Sequence, residues 1–225
     1  MQTKEVVFGI TGSIGAYKAA DVVRRLKEHG CGVSCVMTKE ACQFITPLTL
    51  QALSGRPVYT ELFRSEDPAV IHTTLADQAD LVLVAPATAN IIGKLSHGLA
   101  DDLLSCVVLA TTAPVLVAPA MNVHMYEHPT VHDNIARLKT FGYQFVGPDV
   151  GRLACGYEAI GHLAEVEEIV RAALKLLARP RRPAVGGTPR LAGNHHQAGD
   201  VVAGTPARGT TRSSRISSRA PRRTA

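Results

Sequence analysis

The chain has 225 residues, 46% hydrophobic and only 4% aromatic, with no Trp and a net charge of +5. That is enough apolar material for one domain with a full core, yet no run approaches the roughly 18 uninterrupted apolar residues of a membrane span, and the start does not read as a secretory signal. The charge is unevenly divided: residues 179–225 hold ten Arg, no Lys and the single acid Asp200, for +9, while residues 1–178 come to −4, so the body of the chain offers no reason to expect nucleic acid.

In chain order, the apolar run Val6–Ile10 predicts a buried strand, and the pattern from Ala16 to His29 predicts a helix closed by Gly30. Val33–Met37 reads as a second strand, residues 40–53 as helical with an interruption near Pro47, and Val58–Thr60 as a short extended piece. Residues 70–78 read as a short helix leading into a strand at Leu81–Ala85. A helix across 99–111, a strand at 115–118, a helix near 131–141 and a short strand at Gln144–Val146 follow. Residues 147–161 look like a Gly-rich loop. The closing helix, 163–178, is acidic early (Glu165, Glu167, Glu168) and basic late (Lys175), as its dipole favours. Strands alternating with helices predict βαβ units, hence an α/β fold with a doubly wound, mostly parallel sheet covered on both faces. Residues 1–178 are expected to form that domain. Residues 179–225, rich in Arg, Gly, Pro and Ser, are expected to be a disordered tail.

Small and polar residues gather at the strand ends, where an open α/β sheet binds its ligands. The first turn, Gly9-Ile-Thr-Gly12-Ser13-Ile14-Gly15, is neither a dinucleotide fingerprint nor a P-loop, but its glycines, hydroxyls and helix start suit an anion. Thr38, with Glu40 beyond it, stands where a dinucleotide site would carry an acid. Ala85-Pro86-Ala87-Thr88-Ala89-Asn90 repeats the theme at the third strand, and together these ends suggest a mononucleotide phosphate. Close helix–strand packing is the plainer reading of the glycines. After the strand at 115–118, Pro119 stops sheet pairing, and Met121, Asn122, Met125 and Tyr126 follow; a Met-lined core turn is the alternative there.

His72 and Cys155 are the remaining candidates. A lone His is more often structural, and a Cys more often a small buried hydrophobe, but Cys155 lies between glycines in a polar loop and could serve as proton donor or nucleophile. The five cysteines are an odd number with no C-x-x-C pair, and the histidines lack metal-ligand spacing, so a reducing cytoplasm and no metal are expected.

Thr11-Gly-Ser-Ile-Gly-Ala-Tyr-Lys18, Val84-Ala-Pro-Ala-Thr-Ala-Asn90, Pro119-Ala-Met-Asn-Val-His-Met125 and Leu153-Ala-Cys-Gly156 resemble the flavin-containing cysteine decarboxylases, above all those acting on phosphopantothenoylcysteine. The resemblance runs through about residues 5–178 and is most specific in the Pro-x-Met-Asn-x-x-Met block. It implies a flavodoxin-like domain that binds FMN where subunits meet, usually in homotrimers or multiples of them, and decarboxylates 4′-phosphopantothenoylcysteine to 4′-phosphopantetheine in coenzyme A biosynthesis. Carried over by residue, Gly12, Ser13 and Ile14 would wrap the FMN, Thr38 would reach its phosphate, Thr88, Ala89 and Asn90 would hold phosphate and ribityl oxygens, and Ala120 would lie against the flavin. His72, Asn122 and Cys155 would be the catalytic group, with Asn122 on the substrate carboxylate; Met125, Arg152, Leu153 and Ala154 would also line the substrate. Decarboxylation of peptidyl cysteine, or a non-catalytic flavin-fold regulatory role, are the alternatives. The resemblance departs at His162, where an Arg is usual, and after residue 178, where a synthetase half usually follows; the Arg-only tail has the composition of a shifted reading frame.

Overall fold

The computed structural model describes residues 3–63, 71–152 and 158–179, the side chains of Arg152 and Glu158 excepted. The expected tail lies outside these residues from 180 onward. Five parallel strands form the main sheet: β1 (Glu5–Ile10), β2 (Gly32–Met37), β3 (Leu81–Ala87), β4 (Val115–Pro119) and β5 (Gln144–Phe145), in the order β2-β1-β3-β4-β5. The chain therefore winds outward from β1 in both directions, and the order reverses between β1 and β3.

Alternation along β1 decides which residue faces which helix layer. Val6, Phe8 and Ile10 pack with α1 (Ala19–Glu28) and α8 (Val166–Leu177), through Val22, Val23, Leu26, Ile169 and Ala173. Val7 faces the other way, with Val82, Val84, Val115 and Val117, against α3 (Ile71–Gln78), α4 (Ala89–His97), α5 (Leu103–Ala110) and α7 (Pro129–Thr140). Because both faces are covered, β3 and β4 are buried at every position, which is why their sequences run apolar without a polar beat. Among the described residues no helix is long and apolar enough to cross a membrane.

The expected elements recur with some corrections. The helix expected across 99–111 is the shorter α5, which Asp102 caps in a reciprocal box with Ser105, and an unexpected helix, α4, precedes it and stops at Gly98, which adopts φ +68. The run expected from Ala16 opens as a 3₁₀ turn, Ile14–Lys18, before α1. The stretch 40–53 holds a 3₁₀ turn, Ala41–Gln43, and then α2 (Pro47–Ser54), with Pro47 in the first turn, where its missing N–H costs nothing. A short helix, α6 (Val123–Tyr126), precedes α7. The supposed Gly-rich loop is instead bounded by an antiparallel pair, β6 (Asp149–Arg152) and β7 (Glu158–His162), forming a separate two-stranded sheet. Its glycines hid the strand pattern.

Candidate active site

The switch between β1 and β3 places three strand ends and the start of α4 around one cavity of about 220 Å³. Thr11 and Gly12 come from the end of β1, Thr38 and Glu40 from the end of β2, and Thr88, Asn90 and Ile91 from the β3–α4 junction; Asp102 and Met125 complete the wall. A larger space of about 500 Å³ shares Thr38, Glu40 and Asp102 and extends to Thr60, Phe63 and Lys94.

Backbone and hydroxyl bonds fix the ends relative to one another. The Thr38 N–H donates to the Ile10 carbonyl at 3.0 Å, and the Thr38 hydroxyl accepts from the Ala41 N–H at 3.3 Å. Thr88 caps α4, its hydroxyl accepting from the Ile91 N–H at 3.4 Å, while Ser13 accepts from the Gly15 N–H at 3.4 Å. An α-helix start with unpaired N–H groups, ringed by hydroxyls, is a site for an anion, and phosphate is the anion whose several oxygens match this donor set. Gly12 shows how closely the ends approach: a Cβ there would land on the Glu40 Cβ, inside contact distance.

Two carboxylates stand near this cradle, and one is compensated. Burial opposes the charge of Asp102, but Lys94 at 2.8 Å and the N–H and hydroxyl of Ser105 outweigh it and hold the carboxyl below its ordinary value. Asp102→Ala is expected to cost about 1–2 kcal/mol at neutral pH through the lost cap and ion pair. Since the folded value is the lower one, that stabilisation is complete above the ordinary carboxylate range and fades as pH falls through the folded value. Urea unfolding of both proteins along a falling pH series should show the gap narrowing.

Of the residues expected to hold a cofactor, Gly12, Thr38, Thr88 and Asn90 line the smaller cavity, and so does Met125. Ser13 and Ile14 lead into the 3₁₀ turn beside it, with Ile14 59% exposed; Ala89 opens α4; Ala120 is buried, its N–H donating to the Ala87 carbonyl at 3.0 Å. Asn122 caps α6, its Oδ1 accepting from the His124 N–H at 2.8 Å. The preceding Met121 N–H donates to the Gly161 carbonyl at 3.0 Å, so the Met-Asn loop is seated on β7. His72, partly buried in the first turn of α3, lines neither of the two cavities. Leu153, Ala154 and Cys155 lie outside the described residues, as does the side chain of Arg152. His162 bonds the Leu163 carbonyl through Nδ1 at 2.9 Å and rests beside Gly151. Among the described residues no group of three or more His, Cys, Asp or Glu side chains is placed for a metal ion. The described cysteines are not activated: burial pushes Cys35 up to about 12 and also raises Cys31, Cys42 and Cys106.

Asp102 was not singled out by the sequence, although Asp-x-x-Ser is a cap signal. Nothing local announced Gly161 as the seat of the Met-Asn loop, because that contact is long-range.

A parallel sheet in this order, with its anion cradle at the switch point, defines a flavodoxin-like α/β protein. The chain belongs to the flavoprotein family, whose model matches residues 1–178. It is 50% identical over 179 residues to the coenzyme A biosynthesis bifunctional protein CoaBC of Bacillus subtilis, covering 79% of this chain but only 44% of that protein. It is 48% identical over 172 residues to a probable phosphopantothenoylcysteine decarboxylase of Streptococcus mutans, covering 75% of this chain and 96% of the relative. Among solved structures, a cysteine-to-serine mutant of a PPC decarboxylase complexed with pantothenoylaminoethenethiol superposes with a TM-score of 0.71 at 30% identity, covering 77% of this chain and 98% of the other.

Proposed function

We propose that residues 1–178 are an FMN-dependent decarboxylase domain converting 4′-phosphopantothenoylcysteine to 4′-phosphopantetheine. The observation that carries this reading is the convergence of three polar strand ends and the α4 N-terminus on one cavity whose wall includes Met125 of the Pro-x-Met-Asn-x-x-Met block. Its donor set and close backbone approach fit the phosphate of FMN, and near full-length similarity to a probable phosphopantothenoylcysteine decarboxylase supports the substrate.

Loss of CO₂ from a cysteine carboxyl needs an electron sink, and FMN, when bound, would supply reversible two-electron oxidation of the substrate thiol to a thiocarbonyl that can act as one, with no net redox change. The chain does the rest. The N–H groups opening α4, with Thr88 and Thr38, hold the phosphate; Gly12, Ser13 and Ile14 follow the backbone of the ligand, and Asn90 and Ala120 its sugar-like chain and ring. Asn122 meets the substrate carboxylate through Nδ2, since Oδ1 is an acceptor, and holds the breaking bond in place. His72 orients the thiol or takes its proton. Cys155 gives a proton to the carbon that CO₂ has left, with Arg152, Leu153 and Ala154 beside the substrate.

The reading includes a homo-oligomer, a trimer or a multiple of one, to which the family resemblance points. It also includes a cytoplasmic location, which the four free cysteines among the described residues suit. A relative's cysteine-to-serine mutant in complex with pantothenoylaminoethenethiol supports the role given to Cys155.

The purified chain should be yellow and release CO₂ from phosphopantothenoylcysteine. A protein that stays colourless after soaking in FMN would refute the reading, and CO₂ from a carboxy-terminal peptidyl cysteine alone would overturn the substrate. Cys155→Ser should still release CO₂ but accumulate a product two hydrogens short of 4′-phosphopantetheine by mass. Full conversion by that variant would remove the cysteine from the mechanism.

A further inference from the structure

We infer that Thr11 is a positioning residue for the phosphate end of the site, acting through Pro86 and Thr88 rather than on the ligand itself; this rests on the FMN reading above. Thr11 is 1% exposed, one of few polar side chains buried in the described core. Its hydroxyl donates its only proton to the Pro86 carbonyl at 2.7 Å and accepts from the Thr88 N–H at 3.1 Å. With that proton committed, the hydroxyl cannot donate to an anion. What it does instead is join the end of β1 to the end of β3 at the point where α4 begins. Thr88 is the cap of α4, so whatever fixes the Thr88 backbone fixes the direction of the N–H groups that follow it. Without the Thr11 hydroxyl, Pro86 would lose a buried hydrogen-bond partner and Thr88 would lose the acceptor for its N–H, and the junction would have to move to find others. A site aimed at phosphate is sensitive to such a shift, whereas contacts with the flavin ring are made elsewhere.

The test compares FMN with riboflavin, which lacks only the phosphate, by quenching of flavin fluorescence on the full-length apoprotein. Wild type should prefer FMN. Thr11→Val, nearly isosteric and without the hydroxyl, should weaken FMN about tenfold or more and riboflavin less than about twofold, collapsing the preference. Thr11→Ser, which keeps the hydroxyl, should restore it to within about twofold of wild type. If T11V does not accumulate folded, Thr11→Ala carries the same comparison. An undiminished preference in the hydroxyl-free variant overturns this role alone, and so does an equal loss of both flavins, which would mark a merely structural threonine. Loss of the preference in T11S also overturns it. A wild type that binds neither flavin overturns the flavin reading and this role together.

Discussion

Gly12→Ala is expected to give a folded but colourless protein. A Cβ at position 12 would fall on the Glu40 Cβ, with the Glu40 backbone C and Cα at 3.2 and 3.3 Å, so the obstacle is backbone and the root of a side chain rather than a flexible tip. Relief requires the β1 and β2 ends to separate, and they are tied by the Thr38 N–H to the Ile10 carbonyl, where Thr38 enters the cavity wall. The added methyl therefore both narrows the cradle and drags one of its hydroxyls away. The core packed on β1 lies behind this point, at Val6, Phe8 and Ile10, so the stability cost should stay within the roughly 1–3 kcal/mol of an overpacked site. Flavin affinity should fall by at least about 100-fold, since one displacement removes several contacts at once. Visible absorbance after purification and an FMN titration measure it; wild-type affinity in G12A would mean that the cradle is not where the cofactor phosphate sits. By contrast, Gly9 faces the buried Leu104 side chain in the core rather than the cradle, so Gly9→Ala should cost stability through overpacking and leave flavin binding by the folded protein within a few-fold of wild type.

The legibility of the sequence follows from how local each determinant is. The order of the main-sheet strands was readable because β1, β3 and β4 are continuous apolar runs whose burial on both faces leaves no ambiguity about their place in a parallel sheet. The polar strand ends were readable for the opposite reason: hydroxyls and glycines interrupt the apolar runs where the buried strands end. What could not be read were features decided by partners distant in sequence. The α4 helix was not read, because its start rests on the Thr88 cap directly after a buried strand, and its end on one left-handed glycine, Gly98. The β6–β7 pair is masked by its glycines, and its register depends on cross-strand pairing that no local pattern encodes. Thr11 was visible as a hydroxyl near an anion, but its commitment to Pro86 and Thr88, 75 and 77 residues away, appears only in three dimensions.

The same distance dependence makes Gly161 the second position where a single methyl should matter most. Gly161 sits on β7 with φ +129, a conformation that costs an L side chain roughly 1–3 kcal/mol. A Cβ there would also meet the Met121 carbonyl oxygen inside contact distance, with Met121 C at 3.4 Å and Asn122 C at 3.6 Å. The neighbouring backbone bond, Met121 N–H to the Gly161 carbonyl at 3.0 Å, means the two segments cannot part without losing it. Gly161→Ala must therefore push the Met121–Asn122 peptide, and Asn122 is the residue assigned to the substrate carboxylate. A displacement of about 1 Å at such a group can cost about 10²-fold in rate. We expect G161A to keep its flavin, because the N–H groups and hydroxyls assigned to the phosphate lie on the ends of β1, β2 and β3 and the start of α4, while kcat/KM for decarboxylation falls at least about 100-fold. Gly151→Ala on the opposing strand is the control: its Cβ would meet His162 Cγ at 3.2 Å and Cβ at 3.3 Å, contacts relieved by a shift of a few tenths of an ångström, and turnover should stay within about threefold. A yellow G161A protein that turns over at the wild-type rate would show that the Met-Asn loop does not need this seat, and a colourless one would place Gly161 in flavin binding instead.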